Sequence, residues 1–187
     1  MNATESLRED HRVIERMLAV LEAAATRLRA GEPVPARLFR DAVDFVRSFA
    51  DKWHHGKEET NLFPRMEERG VPREDGPLAV MMHEHVMGRD YIAAIDGEIG
   101  AYEQGDAAAG RVIEENVRGY VGLLRDHVWK EENVLFPMAD QVLSEDDQRE
   151  LEQRFKQVEE DVMGPEVRER YDELLDRAER DVGIASS

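Results

Sequence analysis

Two stretches of this chain share the string H-x-x-K-E-E-x-x-L-F-P, once from His54 to Pro64 and again, 73 residues later, from His127 to Pro137. A histidine and a glutamate four residues apart on a helix point to the same side. His54 with Glu58, and His127 with Glu131, therefore each offer one imidazole and one carboxylate to a common point. Such pairs ligate metals, and two copies imply two ions. A weaker repeat supports this: Asp10-His11 is answered by Glu84-His85, 74 residues on. The chain reads as a duplicated helical hairpin whose halves each contribute ligands.

The elements that must position these residues are helices. Over residues 6–30, Leu7, His11, Ile14, Leu18, Leu21, Ala25 and Leu28 fall on one stripe, and Ser6 to Glu9 form a capping box. A second helix over 36–69 carries Phe39, Val43, Val46, Ala50, His54, Glu58 and Leu62 on one face, and Pro64 predicts a kink in it. A third, over 78–104, aligns Leu78, Met82, His85, Ile92, Ile95 and Ile99. The fourth, over 107–140, aligns Val112, Ile113, Val117, Tyr120, Leu124, His127, Glu131, Val134 and Leu135. Short Gly- and Pro-bearing turns between long amphipathic helices give antiparallel neighbours, so residues 1–140 read as an all-α, up-down-up-down antiparallel four-helix bundle.

Residues 141–187 add two further helices as a C-terminal extension packed on the bundle. Ser144 to Asp147 cap the first, whose stripe is Leu151, Phe155, Val158 and Val162, and Gly164-Pro165 ends it. Val167, Tyr171, Leu174, Leu175 and Ala178 mark the second, and residues 183–187 read as a disordered end.

Helix length serves as a ruler for the ligands. His11 lies 20 residues before Gly31 and His54 lies 23 after it, arms of roughly 30 to 35 Å at the α-helical rise. His85 and His127 stand 20 and 22 residues either side of Gly105, so both halves place a histidine pair at one depth. Helix phase then selects among neighbours. His54 shares the face of Ala50, Val46 and Val43, whereas His55 aligns with Asp51, Ser48 and Asp44 and is expected to face water. His85 joins the apolar stripe and His83 does not. The expected metal ligands are His11, His54, Glu58, His85, His127 and Glu131. Buried and unpaired, Glu58 and Glu131 would each cost several kcal/mol or take up a proton, and a divalent cation removes that penalty. Glu59 and Glu132 read as solvated carboxylates or as groups behind the ligands, and Lys57 and Lys130 as surface cations. Gly88, one turn beyond His85, either lets helices approach or leaves room for O2 or peroxide, and Tyr120 reads as a core residue.

Composition narrows the chemistry. Among 187 residues there is no cysteine, which excludes thiolate ligands, iron–sulfur clusters and a thiol nucleophile. Twenty-five Lys and Arg against 42 Asp and Glu give a charge of -17, which argues against nucleic acid or an anionic membrane as partner. No run approaches the ~18 apolar residues of a membrane helix. The opening residues lack the basic and apolar regions of a signal peptide, so the expected location is cytoplasmic. Four imidazoles and two carboxylates suit iron or zinc better than magnesium or calcium. The ferritin-like alternative needs Glu three residues before His, and those positions hold Arg8, Asp51, Lys52, Val80, Met82 and Leu124.

The pattern H…H-x-x-x-E…E-H…H-x-x-x-E over residues 6–140 resembles the hemerythrin-like, HHE cation-binding domains. The resemblance implies a non-haem centre of two iron ions, with zinc as a substitute. In it His11, His54 and Glu58 serve mainly one iron, His85, His127 and Glu131 the other, and the carboxylates bridge. The marine-worm oxygen carriers of this family use five histidines and an aspartate in the last helix motif. That departure moves the expected task away from reversible O2 storage, toward redox chemistry or sensing. The expected protein binds, senses or buffers O2, NO or peroxide. An enzyme detoxifying peroxide or NO, and a bundle holding structural zinc, are the alternatives. The expected assembly is a monomer, or a homodimer formed through the tail stripes.

Overall fold

The structure is a computed structural model and describes residues 2–160 and 164–184. Among the described residues there are helices and no strands. Helix α1 spans Ala3–Arg29. Helix α2 runs without a break through Ala36–Phe45, Val46–His55, Glu58–Leu62 and Phe63–Glu68. Helix α3 spans Pro77–Glu103, and α4 runs through Ala107–Lys130, Glu131–Leu135 and Phe136–Val142. These four form the up-down-up-down bundle, in which α4 packs on both α1 and α3 and α2 packs on α3. Helices α5 (Glu145–Val158) and α6 (Gly164–Val182) complete the fold.

Helix α1 starts a turn earlier than the Ser6 capping box suggests. Asn2 is the cap: its Oδ1 accepts from the Glu5 amide at 2.8 Å. Thr4 donates to Asp140 on α4, and Ala3 and Leu7 are fully buried. The extra turn satisfies an orphan amide and adds apolar burial, so it prevails over the local Ser6 signal. The α1–α2 turn closes on Gly31 at φ 75°, where the Glu32 amide reaches back to the Arg27 carbonyl at 2.9 Å. Gly105, at φ 90°, makes the equivalent turn between α3 and α4.

Two apolar clusters fill the molecule. The larger one joins residues such as Leu18, Phe39, Phe49, Ile95, Ile113 and Val117 toward the Gly31 and Gly105 end. The smaller joins Leu7, Leu62, Phe63, Leu78, Leu135 and Phe136 at the opposite end. The predicted ligand histidines lie in neither cluster and form a polar layer between them. Val112 and Val134, placed on the α4 core stripe from sequence, are 36 % and 45 % exposed; the buried stripe is carried by their neighbours Ile113 and Leu135.

The extension is spent on the bundle. Tyr171 of α6 meets the rings of Phe45 and Phe49 edge-on, and Leu174, Leu175 and Ala178 join the larger cluster. Leu151 and Phe155 of α5 join the smaller one. Arg16 of α1 holds Asp176 and Glu179, and Arg65 of α2 and Arg69 just past its end converge on Asp147, which also closes a capping box with Ser144. Val162 and residues 185–187 lie outside the described residues.

Candidate metal centre

The helices around the ligands are not plain α-helix. In Val46–His55, Glu58–Leu62 and Glu131–Leu135 the backbone bonds run i→i+5. Each such turn takes up more residues, so successive side chains rotate less and the α-helical phase breaks. The consequence corrects the sequence reading of His55. It faces inward, 5 % exposed, with its ring stacked on His85 at 3.8 Å between centroids. Its contact with Asp51 is 3.5 Å long, and neither ring nitrogen has a hydrogen-bond partner. The wide turns also precede Pro64 and Pro137, which take up positions at the start of fresh α-helical stretches. A proline there has no amide to leave unpaired, so the helix continues past it.

All six residues predicted as ligands converge, each at most 1 % exposed. His11 Nε2 and His54 Nε2 stand 3.1 Å apart, and His85 Nε2 and His127 Nε2 stand 3.2 Å apart. Each carboxylate reaches both pairs. Glu58 turns Oε1 toward His54 and Oε2 toward His85, both at 3.6 Å. Glu131 turns Oε2 toward His11 at 3.1 Å and Oε1 toward His127 at 3.2 Å. The donor atoms of His11, His54, Glu58 and Glu131 all lie within 4.8 Å of one another, and so do those of His55, Glu58, His85 and His127. His83 is exposed and stays outside.

Behind each imidazole stands a carboxylate, and the doubled string explains which. Glu132 lies 2.9 Å from His11 Nδ1 and Glu59 lies 2.7 Å from His85 Nδ1, so the second Glu of each string supports the first histidine of the other half. Asp10 lies 3.3 Å from His54 Nδ1 and Glu84 lies 3.0 Å from His127 Nδ1. The lysine of each string, Lys57 or Lys130, pairs with that acid. Phe136 stacks on His11 and Phe63 on His85. A Nδ1–H donated to a carboxylate leaves Nε2 free to ligate and fixes the ring. The halves are not equivalent, however. Lys130 is one-third exposed, as a surface cation should be, whereas Lys57 is only 1 % exposed, against the expectation from sequence. Its ammonium lies 4.3 Å above the Trp53 ring and 5.4 Å from that of Phe155, which α5 lays over it.

The electrostatics of the centre are set by two buried carboxylates among imidazoles, and the two carboxylates are shifted in opposite directions. Burial, with the charge of Glu131 beside it, pushes the Glu58 carboxyl well above its ordinary value. Burial works in the same sense on Glu131, but the His127 and His11 imidazoles outweigh it and hold that carboxyl well below the usual range. For His127, burial favours the neutral ring, yet Glu131 and Glu84 raise it to about 9. Burial lowers His54 to about 4 and pushes His55 and His85 down as well. Both oxygens of Glu58 and one of Glu131 are buried with no hydrogen-bond partner. Orphaned carboxylate oxygens facing paired imidazole nitrogens fit a divalent cation, which supplies the missing charge and the missing bonds.

A helical bundle with a buried His- and Glu-rich layer defines a cation-binding protein. The chain belongs to the hemerythrin HHE cation binding domain family, which it matches over residues 2–139. Uncharacterized proteins of Mycobacterium tuberculosis and Mycobacterium bovis are similar to it, 25 % identical over 159 residues that cover 83 % of this chain. The chain spans 60 % of the length of these curated relatives. No solved structure matches it. Among the described residues, no helix is long and apolar enough to cross a membrane.

Proposed function

We propose that His11, His54, His85, His127, Glu58 and Glu131 hold two iron ions in one dinuclear centre, and that the centre binds, senses or buffers a small molecule such as O2, NO or peroxide. The observation that carries this reading is the pair of carboxylates, each with one oxygen toward the His11–His54 side and the other toward the His85–His127 side. Carboxylates so disposed suit two ions that share them, and two metals sharing a limited set of donors keep positions for an exogenous ligand. Iron in such a centre would supply one- and two-electron redox chemistry. The protein's own contribution is to fix each imidazole through Asp10, Glu59, Glu84 or Glu132 and to bury the layer between two apolar clusters. His55 stands with His85 and His127 as a fifth imidazole beside these ligands.

The test is a pair of measurements on protein purified without added metal. Elemental analysis should give iron in preference to zinc, and exposure of the anaerobic reduced protein to O2 or NO should produce a new near-ultraviolet absorption band. Zinc in place of iron would favour a structural bundle. Iron without any spectral response to either gas would remove the small-molecule reading.

A further inference from the structure

Duplication of the hairpin gives each half an outer seam, where its two helices meet on the side away from the ligand layer. In the first half the seam between α1 and α2 is covered within the chain, because α5 and α6 pack on those two helices. Met17, Val20 and Ala24 stand off the histidine stripe of α1, yet each is at most 1 % exposed and shares an apolar cluster with Tyr171, Leu174 and Leu175 of α6. The 74-residue repeat puts Tyr91, Ala94 and Glu98 of α3 at the corresponding positions, and all three are only half-buried. The apolar stripes of the tail are used up on the first half and cannot cover the second.

The second seam, between α3 and α4, is apolar and open. Val80, Val86, Val112, Trp129 and Val134 are the exposed large apolar side chains among the described residues, and all five stand on α3 or α4. Val80 and Val134 line one shallow groove with Pro77, Met81 and Lys130, which marks one end of the seam. Further along, Tyr91 crosses onto α4 at Gly119, where a Cβ would stand 2.5 Å from its ring. Val112, Leu123 and Val134 follow one another at 11-residue intervals, about three helical turns, and so recur on one side of α4. The charges on this face are unevenly placed. Lys130 stands toward the Val134 end, whereas Glu98 and Glu115 stand toward the Val112 end and make no ion pair among the described residues.

We propose that the α3–α4 seam is the interface of a homodimer, in which a second copy of the chain covers the second half as α5 and α6 cover the first. The size is right. Helix α3 has 27 residues, so the seam is roughly 40 Å long and, across two helices, roughly 20 Å wide. That is a face of about 800 Å², the area each partner buries in a stable complex. The charges select the second copy and its direction. A two-fold axis crossing the seam at Leu123 sets Val112 against the partner's Val134 and brings Lys130 beside the partner's Glu115, at both ends at once. The parallel arrangement would instead set Lys130 against its own copy.

Sedimentation velocity of the full chain should give twice the 21.4 kDa of one copy. Val112→Glu/Val134→Glu opposes two acids at each end of the seam and buries them among apolar groups, so association should weaken at least about 100-fold. Helicity and metal content should be unchanged, since these valines are 36 % and 45 % exposed in the single chain. Val86 stands a third of a turn round α3 from Val80 and faces away from the seam, so Val86→Glu should leave the dimer intact. Glu115→Lys should weaken association by about 3- to 10-fold. A wild type that stays at 21.4 kDa at ~100 µM would overturn the proposal. So would a dimer unaffected by Val112→Glu/Val134→Glu, or an equal loss in that variant and in Val86→Glu. A Glu115→Lys dimer as tight as wild type would overturn the two-fold at Leu123.

Discussion

The two lysines of the doubled string give the sharpest test of how the centre is built, because the fold buries one and leaves the other open. Lys57→Met removes an ammonium that is 1 % exposed and whose partner, the Asp10 side chain, is 9 % exposed. Removing one member of a buried pair costs about 3–5 kcal/mol, since the surviving charge is left without compensation. Asp10 keeps His54 Nδ1 at 3.3 Å, which places the cost at the lower end, about 3 kcal/mol. Methionine retains contact with the Trp53 and Phe155 rings, so lost packing adds little. Lys130→Met breaks a pair whose lysine side chain is 32 % exposed, for which solvent screening leaves about 1 kcal/mol or less. For a chain of this size 1 kcal/mol moves the midpoint by about 2–4 °C. Thermal unfolding followed by circular dichroism should therefore show a fall of about 6–12 °C for Lys57→Met and about 4 °C or less for Lys130→Met. Added salt should shrink only the second difference. Equal shifts in the two variants, or a Lys57→Met shift below about 2 °C, would refute the asymmetry assigned to the α5 cover.

Further outcomes follow from the same geometry. Glu59→Gln and Glu132→Gln should each weaken metal retention by about 10- to 100-fold in chelator competition, because they loosen His85 and His11 without removing a ligand. His55→Ala should weaken metal retention while His83→Ala leaves it unchanged; the reverse order would return His55 to the surface. With Glu58 raised and His127 at about 9, metal uptake should displace protons, so calorimetry in buffers of different ionisation enthalpy should report a net proton release. The metal-free protein should respond oppositely. The folded-state value of His127 is above its ordinary 6.5, so its contribution to stability is complete below pH 6.5 and is lost as pH rises through about 9. Metal affinity should rise over that window while metal-free stability falls, and a flat pH dependence of both would contradict the assignment.

Much of this centre was legible in the sequence because the residues obey one period. His11, His54, Glu58, His85, His127 and Glu131 all sit on apolar stripes at α-helical spacing, and helix length placed the histidine pairs at one depth. His55 is not legible for a physical reason: regular helical phase aligns it with Asp51, Ser48 and Asp44, and the i→i+5 turns of Val46–His55 break that phase. Val128, which holds the position of His55 in the second copy of the string, is buried as well. Lys57 was missed because its cover, Phe155, comes from a helix 98 residues later in the chain, beyond the reach of any local pattern. The start of α1 was misplaced because two cap signals compete within five residues, and the contact of Thr4 with Asp140 decides between them.

The central claim is that two halves of the chain build one shared centre, with Glu58 and Glu131 each serving both ions. The most direct test is the metal-to-chain ratio of Glu58→Ala beside wild type, each purified without added metal and checked for helicity by circular dichroism. A shared centre predicts two ions per wild-type chain and the loss of both from the variant. Retention of one ion by the variant would show two independent sites and contradict the account.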